Sequence, residues 1–257
     1  MTIYEFAPKE KHEHVWITEG DTFLTNDGCF VEIKWDYDCT SPRKYDNLGT
    51  FYTWMNSYGS PDKAPTLEEL FSEYDLWDEW EDRDGRCNPV AWFAAKLNEL
   101  GHVALPVSAY VHGGVAYAVG TPSQFPDSQW DAGYAGVIYV DAEKVCSDDW
   151  CSYIHEITPE TRKVINRYLA DEVEYFDEWA QGHCYGYIMY DRNGDEVESC
   201  WGFIGDDLKV NGIEDYIGEL ESTSLTLDEW VELNETVSKA ANELLDGMTA
   251  EYEGYAA

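Results

Sequence analysis

The sequence has few basic residues, and this scarcity excludes several classes of protein. It contains 16 Lys and Arg against 52 Asp and Glu, so its formal net charge is −36 over 257 residues. Contacts with nucleic-acid phosphates require lysine and arginine at a density that this chain lacks. We therefore expect no direct binding to DNA or RNA.

Several further features are missing. Seven cysteines at irregular spacing, without a CxxC pair, do not form a disulfide framework. No apolar run approaches the length of about 18 residues that a membrane helix needs. The first fourteen residues are charged, so a secretory signal is not expected. No GxSxG, HExxH or phosphate-binding glycine loop is present. These absences predict a cytoplasmic protein with free thiols, no cofactor and no recognisable catalytic motif.

Metal binding is not predicted either. His12 and His14 flank Glu13, but no third ligand follows at useful spacing. Asp191, Asn193 and Asp195 resemble the opening of a calcium loop, but Gly194 is misplaced for one and a hairpin turn explains these residues better.

The chain is rich in apolar and aromatic residues. Hydrophobic residues make up 44% of it, with 11 Trp, 19 Tyr and 9 Phe, which is enough for a core of one or two domains and argues against disorder. Two explanations of the charge remain: a solvated or salt-adapted surface, and mimicry of a polyanion. Salt adaptation predicts evenly spread acid and few large aromatics, whereas this chain clusters its acid and is rich in Trp.

Periodicity predicts a single α+β domain with a central antiparallel sheet. The sheet contains hairpins at 103–120 and 184–203, and acidic amphipathic helices flank it. Residues 1–205 are expected to form the core domain, with 206–257 as a helical C-terminal extension packed on or next to it. Strands are predicted at 28–36, 103–111, 115–120 and 136–140, with a two-residue turn at Gly113 and Gly114.

Capping signals predict where the helices begin and end. Thr66 and Glu69 form a capping box that opens an acidic helix running to about residue 84. Asn88 and Pro89 begin a second helix, and a third begins at Thr158 and Pro159 and continues to Gln181, where Gly182 ends it. The last helix, 226–246, is expected to bury one stripe of side chains: Trp230, Leu233, Val237, Ala241, Leu244 and Leu245.

The pair Asn193 and Gly194 predicts a hairpin with a type I′ turn. Such a turn places Gly186 opposite Trp201 and Ile188 opposite Ser199. One apolar face results, and we expect it to be core, so that Trp201 is buried. That face contains Cys184, Ile188, Tyr190, Val197, Trp201 and Phe203.

Seven segments of the chain form a pattern of motifs: Ser41–Thr50 (SPRKYDNLGT), His112–Gly114 (HGG), Trp130–Gly133 (WDAG), Gly136–Val140, Glu172–Phe176, Tyr185–Tyr187 and Ser199–Phe203 (SCWGF). In their order and spacing over residues 28–205 they resemble a family of acidic proteins encoded by phages, prophages and plasmids. The resemblance implies a mobile element as the setting and supplies no mechanism. The segment 71–86 is more acidic than the family pattern, and the tail 206–257 has no counterpart in it. By setting and charge, the chain is similar to anti-CRISPR and antirestriction proteins that mimic DNA.

Two acidic clusters are the candidate partner-binding surface. We expect them to occupy the basic groove of a bacterial defence complex, either a CRISPR effector or a restriction enzyme, in the host cytoplasm. The alternatives are a phage enzyme acting on a nucleotide or host protein, for which Asp46, Asn47, His112, Trp130 and Asp131 are the residues to inspect, and an acidic housekeeping protein. The oligomeric state stays open, with a dimer as one option. The candidate interface residues are Glu68, Glu69, Glu73, Asp75, Asp78, Glu79, Glu81, Asp82, Asp84, Asp171, Glu174, Asp177 and Glu178.

Overall fold

The fold is α+β, as predicted. The computed structural model describes residues 13–83, 87–147 and 156–255, with side chains up to residue 246, so His12 and Asp84 lie outside the described residues. The strands are β1 (Thr22–Thr25), β2 (Phe30–Trp35), β3 (Thr50–Thr53), β4 (Val103–Val111), β5 (Val115–Val119), β6 (Ala132–Val140), β7 (Cys184–Tyr190), β8 (Glu196–Ile204) and β9 (Leu220–Thr223). The helices are α1 (Leu67–Glu73), α2 (Trp77–Glu81), α3 (Pro89–Glu99), α4 (Ser128–Asp131), α5 (Ala142–Val145), α6 (Pro159–Gln181), α7 (Ile213–Ile217) and α8 (Leu227–Tyr255). Within the described ranges, no helix has the length and apolar character needed to cross a membrane.

The described chain divides into two compact units. The first is Thr40–Gly182, and the second combines residues 13–39 with residues 183–255. This division differs from the predicted boundary at residue 205, since residues on both sides of that boundary belong to the second unit. The expectation of one central sheet is wrong, because each unit contains its own antiparallel sheet.

The first unit has three layers. Its four-stranded sheet has the order β3-β6-β4-β5. Helix α6 begins at the Thr158 cap and ends at Gly182, as predicted, and packs Ile165, Leu169 and Val173 on one face of the sheet. Helices α1, α2 and α3 cover the other face. Consequently β4 is buried on both faces from Val103 to Ala109. The loop between β4 and β5 has three residues rather than two, because Val111 pairs with Val115.

A buried arginine explains the SPRKYDNLGT motif. The Arg43 side chain is only 4% exposed and forms ion pairs of 2.7 Å with Asp62 and with Glu172 of α6. Its guanidinium also donates to the Gly49 carbonyl over 2.6 Å. Glu172 in turn accepts the backbone N–H of Leu48 at 2.7 Å. The motif therefore fixes the 42–50 loop to α6, which is a structural role.

The second unit contains a five-stranded sheet with the order β8-β7-β2-β1-β9. One face carries the unit's core, in which Val31, Ile33, Tyr185 and Tyr187 pack together. On the opposite face, the buried Trp230 of α8 lies 5.7 Å from Phe30, measured between ring centroids.

The predicted register of the last hairpin is confirmed, although its turn differs from the predicted one. Gly186 pairs with Trp201 and Ile188 with Ser199. Asp191 donates its backbone N–H to the Asp195 carbonyl, so the loop has three residues instead of the two of a type I′ turn. An irregularity between Met189 and Tyr190 compensates for the extra loop residue. The two deviations cancel, which restores the expected pairing further along the strands.

The expected burial of the predicted hairpin face holds for Cys184 and Phe203 and is wrong for Val197 and Trp201. The core face is the other one, since it contains Tyr185 and Tyr187. A second irregularity next to Gly186 transfers Phe203 to that core face. Trp201 stays on the opposite side of the edge strand β8 and is 46% exposed.

Only the first member of the predicted α8 stripe is buried. Trp230 is in contact with the sheet, whereas Leu233, Val237, Leu244 and Leu245 are all at least half exposed. Every residue from 235 to 246, Ala241 included, is exposed. Residues 235–246 of this helix are therefore not buried against the described part of the chain.

We predict that Arg43→Met destabilises the protein by about 3 kcal/mol, because it leaves two partly buried carboxylates without their cation. Urea unfolding followed by circular dichroism measures the change. The matched control is Lys163→Met, which removes an exposed charge from α6 and should change stability by less than about 0.5 kcal/mol. Equal unfolding midpoints for the two variants would contradict the structural role of Arg43.

A second prediction concerns the contact between Trp201 and Gly186. A Cβ atom added at Gly186 would lie 2.2 Å from Cε3 of Trp201 and 2.8 Å from the Cys200 carbonyl oxygen. Gly186→Ala should therefore cost about 2 kcal/mol or more through overpacking. Trp201→Ala removes the nearer obstacle, so the double variant should lose less stability than the sum of the two single variants. Additive losses in thermal or urea unfolding would show that the ring does not rest on Gly186.

Candidate acidic interface

The acidic segment, defined as residues 67–82, lies on an aromatic platform. Leu70, Phe71 and Leu76 of this segment are buried against α3. Phe71 stacks on Phe93 with a centroid distance of 4.8 Å and an interplanar angle of 17°. The predicted capping box between Thr66 and Glu69 is present. The segment is thus anchored by its apolar side chains, and its acids point away from the core.

The single acidic helix predicted here is wrong, because the helix breaks at Asp75. Asp75 has a positive φ of 56°, a left-handed conformation that is uncommon for any residue but glycine. The Leu76 N–H bonds the Phe71 carbonyl at 2.8 Å, which closes α1 before α2 begins at Trp77. Because no glycine marks the break, the sequence pattern gave little sign of it. The acids consequently occupy two short helices instead of one continuous row.

Tyr74 connects this break to the sheet. Its hydroxyl donates to the Asp141 carboxylate at 2.8 Å, just beyond the end of β6. Burial, together with the nearby carboxylate, raises the pKa of Tyr74, so the hydroxyl stays protonated and able to donate. Asp141 also lies 3.1 Å from Nδ1 of His102. The contact between Tyr74 and Asp141 therefore joins the acidic segment to the end of strand β6 within the first unit.

Eight of the sixteen residues in the acidic segment are Asp or Glu. All eight are exposed. Two of them have identified partners: Glu69 accepts hydrogen bonds from the backbone and side chain of Thr66, which lower its pKa, and Glu79 pairs with Lys96. The other six form no ion pair with a described residue: Glu68, Glu73, Asp75, Asp78, Glu81 and Asp82.

Two cations that the sequence pattern did not reveal border the acidic segment. Lys96 of α3 lies 2.6 Å from Glu79 and 2.9 Å from Glu99. The Arg83 guanidinium lies 3.5 Å from the centroid of the Trp80 ring. Lys96 therefore offsets part of the negative charge at Glu79. Only tertiary packing brings Lys96, distant in sequence, to this position.

The second predicted cluster, on α6, is less uniform. Glu174 is exposed, while Asp171, Asp177 and Glu178 are partly buried. Asp177 accepts the Tyr117 N–H of β5 at 2.6 Å and the Gln181 amide at 2.7 Å. Asp171 lies 3.7 Å from Nε of Arg167. Asp177 thus holds α6 against the sheet, and this function limits its use in binding a partner.

The residues suggested for an enzyme fall into two separate groups, at opposite ends of β6. Lys144, which lies just after β6, donates from its ammonium group to the Asn47 carbonyl at 2.8 Å. The loop that contains Asp46 and Asn47 therefore lies near the end of β6. His112 and Asp131 lie 3.0 Å apart where β6 begins. Nine strand residues separate the two places, about 26 Å along the strand. Trp130 is almost fully exposed. The set therefore forms no common pocket.

Comparison with known proteins gave no relative: no family model, no curated protein and no solved structure matches the chain.

The strained backbone at Asp75 leads to a prediction. Asp75→Gly and Asp75→Val both remove the carboxylate, but only glycine adopts the left-handed conformation without cost. The valine variant should be less stable than the glycine variant by about 1–2 kcal/mol. Urea unfolding of the two proteins measures the difference. Equal stabilities would show that residue 75 does not require the left-handed conformation in solution.

Proposed function

We propose that the protein is an anti-defence inhibitor that occupies the basic nucleic-acid groove of a bacterial defence complex. The target is a CRISPR effector or a restriction enzyme, and the contact surface is the acidic segment. The protein acts in the cytoplasm of the host bacterium, uses no cofactor and does not itself bind nucleic acid.

The observation that carries this proposal is the dense and fixed arrangement of the acids. Six exposed carboxylates without an ion-pair partner among the described residues lie within the sixteen-residue acidic segment. The apolar side of the same segment is buried against α3, so the acids are presented by ordered backbone. Ordering before binding lowers the entropic cost of association.

Charge density further supports a basic partner. Neighbouring acids repel one another and destabilise a helix where no cation relieves them. Duplex DNA carries one phosphate per about 3.4 Å on each strand, and successive helical residues rise by about 1.5 Å. Carboxylates three or four residues apart share one helix face and are separated by about 4.5–6 Å along its axis, which is of the same order as the phosphate spacing. A basic groove that binds a phosphate track can accept such a surface.

The test compares two variants with the same net charge. The first changes Glu68, Glu73, Asp78, Glu81 and Asp82 to Gln or Asn. The control changes Asp228, Glu232, Glu235, Glu243 and Asp246 of α8 in the same way. Each removes five of the acids, which takes the formal charge from −36 to −31.

Phage plating efficiency on strains with a restriction system or a CRISPR effector is the readout. The wild type and the control should restore plating on at least one strain, and the first variant should lose at least about 90% of that effect, because the attraction depends on the segment's carboxylates. Equal protection by both variants would show that the carboxylates of the acidic segment are a solvated surface and do not bind the target. Absence of protection by the wild type on both strains would reject the proposal.

A further inference from the structure

Two thiols of the second unit are in contact although they are far apart in sequence. Just beyond β2, the Asp36 N–H donates to the carbonyl of Cys184 in β7 at 2.8 Å. The Asp36 carboxylate then accepts the Asp38 N–H at 3.0 Å, within a turn that leads the chain to Cys39. There the Cys184 thiol donates a hydrogen bond to the Cys39 sulfur. Both cysteines are in the thiol form in this structure.

The two thiols differ in their access to solvent. Cys39 is partly exposed, whereas Cys184 is only 4% exposed. A reagent in solution therefore reaches Cys39 first, and Cys184 lies in position to attack the product. Formation of an S–S bond of about 2.05 Å then requires only that two sulfurs already in contact move closer together.

The position of the pair along the chain gives such a bond a physical consequence. The first unit begins at Thr40, directly after Cys39, and ends at Gly182, two residues before Cys184. A bond between the two sulfurs therefore closes a covalent loop that contains the whole first unit. Closing a long loop removes conformational entropy from the denatured chain, which stabilises the folded protein.

We propose that Cys39 and Cys184 form a reversible disulfide, which acts as a redox switch on the stability of the protein. The oxidant is a low-molecular-weight disulfide such as oxidised glutathione. The Cys39 thiolate attacks one sulfur of the oxidant and releases one glutathione thiolate. The Cys184 thiolate then attacks the Cys39 sulfur of the mixed disulfide and releases the second. The two cysteines lose two electrons and two protons, and oxidised glutathione becomes two molecules of the thiol.

The environment of Cys39 makes this exchange depend on pH. Burial raises the pKa of Cys39, the hydrogen bond from Cys184 opposes that rise, and the charge of Asp36 adds to it. Only the thiolate attacks a disulfide, so little of Cys39 is reactive at neutral pH. The reactive fraction grows as pH rises towards the pKa, and the rate of disulfide formation should grow with it.

Incubation of the full chain with oxidised glutathione tests the proposal. Remaining thiols are alkylated, and an unreduced digest is analysed by mass spectrometry. The wild type should give a peptide pair cross-linked between Cys39 and Cys184, and excess dithiothreitol should remove the cross-link. Its formation should be at least about tenfold faster at about pH 8.5 than at about pH 7. The urea midpoint of the oxidised protein should exceed that of the reduced protein by at least about 0.5 M.

Three variants complete the test, each compared with its own reduced form so that a change in basal stability does not enter the result. Cys39→Ser and Cys184→Ala should change their urea midpoint by less than about 0.1 M on oxidation. Cys29→Ser, which removes another partly exposed thiol of the second unit, is the control and should keep the full shift. Cys39→Ser changes a partly exposed side chain and decides the matter if Cys184→Ala does not fold.

Three results would overturn the proposal. The first is glutathione bound stably at Cys39 without a cross-link to Cys184. The second is a midpoint shift in Cys39→Ser as large as that of the wild type. The third is a rate of cross-linking that is the same at both pH values.

Discussion

Repulsion among carboxylates is the constraint on which the rest of this structure depends. With 16 basic residues for 52 acidic ones, most acids have no cation available. Several of the cations serve the framework. Arg43 is buried between Asp62 and Glu172, and Arg162 donates to the His102 carbonyl at 2.7 Å, which joins α6 to the end of α3. Cationic side chains that bind partners inside the first unit cannot pair with acids on its surface. Most carboxylates of the acidic segment therefore lack a neighbouring cation.

Aromatic packing and a tyrosine hydrogen bond, rather than ion pairs alone, hold the acidic segment in place. The acidic segment is anchored through Phe71 on Phe93 and through the Tyr74 hydroxyl on Asp141. The strength of these two contacts depends little on salt concentration, in contrast to the strength of surface ion pairs. The abundance of Trp and Tyr and the excess of acid are thus parts of one arrangement, in which apolar contacts hold charges that repel each other. This connection between packing and surface is why we favour recognition over plain solvation.

Local signals in the sequence predicted many of the helices and strands. They did not predict which faces are buried or which distant residues form contacts, because these depend on long-range packing. The caps at Thr66 and Thr158 depend on neighbouring residues alone, and both were confirmed. The face of the last hairpin was wrong because both faces of β7 carry apolar or aromatic side chains, so alternation did not decide that Tyr185 and Tyr187 form the core; only Phe203 changes face through an irregularity. Asp75 breaks a helix without glycine or proline, so propensity gave no warning. The partner of Arg43 on α6 is 129 residues away in sequence, a distance that no local pattern spans.

The α8 stripe shows a different limit of sequence reasoning. An apolar pattern indicates that a helix face is suited to burial, but it does not say which molecule covers that face. Among the described side chains of α8 only Trp230 is buried, and it lies on Phe30. Phe30 is 200 residues away in the sequence, so the periodicity of the helix indicated a face suited to burial without indicating how far along the helix a covering surface extends.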